Sequence, residues 1–149
     1  MASNELFIDE IKLDGFQVIS GNLFKKESQP LLSMWANRIA FNKQAIKALH
    51  YCETVQLRIH PKKKQILVSP ISSSDKDAIA WCKTTELKQP LKLECNTLTS
   101  QIYSMWGWNK YWHYRTYGKQ VKSNGKVMLL FDFSDCECFD GNKPVKNNE

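Results

Sequence analysis

The dipeptide Asn124-Gly125 constrains this chain more than any other feature. It separates two alternating runs, Trp112 to Val121 and Lys126 to Phe133. A two-residue turn between such runs needs central residues that tolerate positive φ, as Asn and Gly do, so an antiparallel hairpin is predicted. Upstream, Leu91, Leu93 and Cys95 alternate as a strand. Asn96-Thr97 then caps a helix with Leu98, Ile102 and Met105 on one side, and Gly107 ends it. Strand, helix and hairpin follow one another.

The same order occurs earlier. Leu31 to Trp35 reads as a strand joined by a tight Ala36-Asn37 turn to Arg38 to Phe41. Asn42 is a good N-cap, and Ala45, Ile46 and Leu49 share a helical face. Val55, Leu57 and Ile59 alternate with Gln56, Arg58 and His60, the turn is Pro61 to Lys64, and Ile66 and Val68 return. The two helix-opening asparagines stand 54 residues apart. The expected fold is therefore α+β: two β-α-β-β units, 31–70 and 91–134, packed into one barrel-like domain. Residues 1–30 are read as a frayed start from Leu6, one strand through Phe16, Val18 and Ile19, and a polar connection. Residues 71–90 are a linker with a short helix capped by Ser74 and running through Trp81, and 135–149 are a polar, partly disordered tail.

Charge is segregated along the chain. Arg38 to Lys64 holds seven basic residues against Glu53, so it carries the whole net charge of +6, and Lys110 to Lys126 adds five basic residues with no acidic one. A basic middle between acidic ends suggests a polyanion-facing surface, the plain alternative being solvated hairpins. Five cysteines without framework spacing fit reduced thiols. The acidic start MASNELFIDEIKLDG is unlike a signal peptide, and no apolar run reaches membrane-spanning length, so a soluble cytoplasmic protein is expected.

No phosphate-binding loop, dinucleotide loop or nucleophile elbow is present, so an enzyme is not expected. No cofactor is called for either. The pairs His50/Cys52 and Cys136/Cys138 are spaced too closely for a structural zinc site and read as ordinary thiols. Basic residues on hairpins and a short helix can neutralise phosphates, and Arg38, Arg58 and Arg115 can reach base edges bidentately. Expected contacts are Arg38, Lys43, Lys47, Arg58, Lys62, Lys63, Lys64, Arg115 and Lys119. The aromatic run Trp106 to Tyr117 could stack bases, but alternation puts Trp112, Tyr114 and Thr116 on one face, read as core, and His113, Arg115 and Tyr117 on the other.

The phrase RIAFNKQAIKAL from Arg38 to Leu49, followed by an alternating strand, a basic turn and Gln65-Ile66-Leu67-Val68, resembles the AbrB/SpoVT swapped-hairpin family of bacterial DNA-binding regulators. The resemblance implies units that interlock into one barrel, with MraZ-like members carrying two units in one chain. It also implies double-stranded DNA as partner, a possible homodimer, and DNA-contacting positions at Arg38 and Lys47. As a whole the chain also resembles small mobile-element proteins labelled integrase regulators. The competing expectation is a protein-interaction module, antitoxin-like or a phage accessory protein, whose basic surface meets an acidic partner.

Overall fold

The computed structural model describes residues 8–20 and 29–145. Strands β1 (Leu31–Met34) and β2 (Arg38–Phe41) form a hairpin that leads into helix α1 (Lys43–Ala48). Asn42 caps that helix, its Oδ1 accepting from the Ala45 N–H at 3.0 Å and also from the Leu31 N–H at 2.9 Å. Next come β3 (Thr54–His60), β4 (Gln65–Pro70), the two-residue β5 (Ile79–Ala80), β6 (Lys92–Glu94) and α2 (Asn96–Trp106). The chain then forms β7 (His113–Ser123) and β8 (Lys126–Asp132), a 3-10 turn at Phe133–Asp135, and the short pair β9 (Glu137–Asp140) and β10 (Lys143–Pro144). Asn124 and Gly125 take φ of 51° and 77°, the primed turn that the dipeptide predicts.

All the pairings are antiparallel, in the order β5-β3-β4-β8-β7-β1-β2-β6, and the sheet curls into a half-barrel. Both helices lie on its inner side. Ala45 and Ile46 of α1 and Thr99, Ile102, Tyr103 and Trp106 of α2 enter one core with Leu32, Val68, Trp81 and Phe131. Strand β7 is shared between the two parts of the sheet. Tyr114 to Tyr117 pair with β1, His113 to Arg115 pair with β9 on the opposite edge, and from Gly118 onward β7 pairs with β8.

The pairings have an internal two-fold relation. β1 lies on β7 as β5 lies on β3, while β2 pairs β6 and β4 pairs β8, so exchanging the halves of the chain reproduces these four pairings, although β1·β2 has no β5·β6 counterpart among the described strands. Leu67 sits opposite Leu130 in one of the two middle pairs of β4·β8, the outward-facing one. Matching the two hairpin registers through that pair sets Arg58 on Lys119, Leu57 on Gly118 and Ile59 on Gln120.

Four sequence expectations are corrected. Phe16, Val18 and Ile19 form no strand and lie exposed, since alternation alone supplies no ladder partner. Between Ser72 and Ala78 the chain makes turns instead of a helix: Ser72 Oγ and Asp75 Oδ1 accept backbone N–H groups two residues on, local bonds that compete with helix formation. Helix α2 begins after Cys95 and buries Thr99, Ile102, Tyr103 and Trp106, leaving Met105 exposed; Thr99 can be buried because its hydroxyl donates to the Ala36 carbonyl at 2.6 Å. The expected polar tail is ordered through Pro144 by β9 and β10. The expected start at Leu6 and most of the Lys25–Pro30 connection fall outside the described residues.

Candidate nucleic-acid interface

Alternation in the sheet sends one set of side chains to the core and the other outward. On β7, Tyr114 and Thr116 are buried while His113, Arg115 and Tyr117 are partly exposed, as the sequence pattern predicts. Trp112, expected in the core, is half-buried.

The centre of the outer face is a four-residue row, Arg58, Leu67, Leu130 and Lys119, each directly opposite the next on β3, β4, β8 and β7. Arg58 and Lys119, both exposed, therefore flank the two-fold centre. Arg58 reaches the Ser69 hydroxyl at 3.3 Å. The next row contains His60, Gln65 and Asp132. Asp132 accepts from the hydroxyl and N–H of Ser134 and from Gln65. These bonds, with Lys119 nearby, hold its carboxyl below the ordinary value. Beside this row an open depression of about 570 Å³ is lined by Tyr117, Lys119, Asp132 and Asp135 among others.

Lys62, Lys63 and Lys64 form the β3–β4 turn, which is closed by the Lys63 N–H donating to His60 Nδ1 at 3.2 Å. Lys64 has φ of 56°, and its carbonyl accepts from Phe133 N–H, tying the turn to the end of β8. The β7–β8 hairpin carries Lys119, Lys122 and Lys126, so each half of the sheet contributes one basic hairpin. Lys122 and Lys126 were not among the expected contacts, although they belong to the second basic stretch. Because β4 and β8 run antiparallel, the two turns project from opposite ends. From Gly125 to Phe133 the separation is roughly 27 Å at about 3.4 Å per residue.

Arg38 and Arg115 lie elsewhere on the outer face, in a ladder that crosses the sheet. The Arg38 guanidinium covers the Trp35 ring at 4.2 Å, Trp35 stacks on His113 at 5.0 Å, His113 stacks on Phe139 at 5.1 Å, and the Arg115 guanidinium lies over Phe139 at 4.5 Å. Arg115 also pairs with Glu137 at 3.0 Å. Since β1 lies between β2 and β7, and β7 between β1 and β9, Trp35 and His113 have partners on both sides. No ring face of these two is open to a base. Burial, followed by the two guanidiniums, holds the His113 imidazole below its ordinary pKa. Trp35, Glu137 and Phe139 have no sequence signal for this role, because the β1–β7–β9 register is not visible in the chain.

Lys43 and Lys47 are exposed on α1, with Lys47 beside Gln120 and the β7–β8 hairpin. The structure thus brings Arg58 and Lys119 into one row, places Lys62 to Lys64 and Lys47 towards opposite ends, and engages Arg38 and Arg115 in stacking. Among the described residues no three His, Cys, Asp or Glu side chains gather as a metal site. Among the described residues no helix is long and apolar enough to cross a membrane. No protein-family model, curated protein or solved structure matches this chain.

Proposed function

We propose that this chain is a DNA-binding regulator of the swapped-hairpin type, in which two interlocked units of one polypeptide present two basic hairpins to duplex DNA. The observation that carries the reading is the two-fold relation between those hairpins, with Arg58 and Lys119 flanking its centre. The β3–β4 hairpin, Thr54 to Pro70, contains Arg58 and three lysines and no acidic residue. A duplex backbone is itself two-fold symmetric, as is the arrangement of the two turns. Lysines at the turns supply phosphate contacts, while Arg58 and Gln56, on one face of β3, can reach base edges in the major groove.

Fluorescence anisotropy with random duplex and single-stranded oligonucleotides over a salt series tests this. Duplex binding whose logarithm falls linearly with log salt is expected, with a slope corresponding to several phosphates. The double variant Arg58→Glu/Lys119→Glu should lose that binding with little change in melting temperature. Arg115→Glu is unsuitable for this purpose, since it would set an acid against Glu137. Full affinity in the double variant, or no binding at low salt, would overturn the proposal.

A further inference from the structure

The two-fold relation supplies an internal control. One groove lies between β7 and α1, lined by Gln120, Gln44, Ala48 and Pro30. Its counterpart lies between β3 and α2, where Ile59 and Asp77 stand in place of Gln120 and Pro30, and Leu98 and Ile102 of α2 complete the wall. Ile59 and Asp77 correspond to Gln120 and Pro30 through the strand registers. The first groove is polar, and Gln120 Nε2 donates across it to the Ala48 carbonyl at 2.9 Å. The second, of about 310 Å³, is open and mostly apolar, with Gln56, Arg58 and Asp77 among its lining and Ile59 38% exposed. Ile102 belongs to the core, whereas Ile59 is an apolar side chain left exposed where its counterpart Gln120 is polar. The groove also borders a free sheet edge, since β5 covers only Thr54 and Val55 of β3 and no described strand lies on that side of Gln56 to His60.

A matching segment exists on the same chain. Between Ile8 and Ile19, six large apolar side chains are at least 66% exposed, Val18 at 98%, and among the described residues none joins the core. Phe16 and Val18 alternate, and the segment carries Asp9, Glu10 and Asp14 against Lys12 alone. An exposed apolar stretch of this kind marks an interaction site. Its acidic charge complements Arg58 at the groove and the lysines of the adjoining turn.

We propose that the Phe16–Ile19 segment of a second copy adds as a strand to the open edge of β3, seating Phe16 and Val18 in the apolar groove, and that reciprocal exchange closes a two-fold dimer. Backbone hydrogen bonds to the edge would give affinity and the alternate side chains specificity. The exchange is isologous and therefore closes without further growth. It does not depend on DNA binding.

Sedimentation velocity of the nucleic-acid-free full-length protein, diluted from high micromolar to nanomolar concentration, tests the dimer. The wild type should show reversible dimerisation. Val18→Asp lies outside the folded body, and Ile59→Asp is at an exposed edge; each should weaken association by about tenfold or more. Gln120→Ala, in the polar groove, should leave association unchanged. Near-ultraviolet circular dichroism establishes that Ile59→Asp is folded. A wild type that stays monomeric at every concentration, through docking within its own chain or use of the segment by a different protein, overturns the proposal. Wild-type dimerisation in either Asp variant also overturns it.

Discussion

Phe131 occupies the space that a β-carbon on Gly118 would need, its nearest ring carbon 2.6 Å from where that atom would stand. The ring is fully buried and meets Phe41 edge-on, so it has little room to retreat. Gly118 is where β7 passes from β1 to β8, and its N–H donates to the Pro30 carbonyl at 2.8 Å. Gly118→Ala should therefore destabilise the protein by about 1–3 kcal/mol through overpacking. A urea unfolding midpoint equal to wild type would show that the ring moves freely.

At the end of α1 the chain turns through two consecutive residues of positive φ, His50 at 57° and Tyr51 at 58°. A side chain in this region costs roughly 1–2 kcal/mol, a penalty glycine avoids. His50→Gly should raise stability by about 1 kcal/mol despite the greater freedom it gives the unfolded chain. Differential scanning calorimetry reads the change; a lower melting temperature would mean that the His50 side chain makes contacts worth more than the strain.

His113 sits between the rings of Trp35 and Phe139, with Arg115 and Arg38 near. Its folded-state pKa is lowered, so the unfolded chain binds more protons as pH falls. The associated stability is fully present above the ordinary value of 6.5 and is lost as pH drops from there towards the depressed value. His113→Phe keeps the stack and removes the titration. Its melting temperature should vary less than that of the wild type between about pH 7 and pH 5, and parallel curves would refute the assignment.

Cys52 and Cys136 have thiols pushed up to about 11 by burial. At pH 8 only about one in a thousand of either would be thiolate, the reactive form. Both should react slowly with a disulfide reagent in the folded protein and rapidly after denaturation. Rapid native labelling of either cysteine, located by peptide mapping, would contradict the burial.

Local chemistry was legible in the sequence wherever a few adjacent residues settle the outcome. Asn124-Gly125 announces its turn, Asn42 its helix, and the alternation of Tyr114 and Thr116 with His113 and Arg115 separates inside from outside. What depends on remote pairing was hidden. Nothing near Trp35 indicates that β1 joins β7, so the ladder to Phe139 could not be foreseen. Thr99 reads as a surface residue until the Ala36 carbonyl is brought against it. Of the expected contacts, Arg58 and Lys119 could be assigned to outward faces by alternation, but their shared row required the β4·β8 register. The charge of Arg115 was visible and its commitment to Glu137 was not.

Because β2 pairs β6 and β4 pairs β8, neither half of the chain owns a complete sheet, and the central contacts close only after both halves have been made. The same linkage releases each position from its twin. In a homodimer of single units one mutation would alter both sides at once, whereas here Ile59 answers to Gln120 and Arg58 to Lys119. Covalent joining lets the two sides evolve separately, so one can be specialised for a partner while the other keeps the architecture intact.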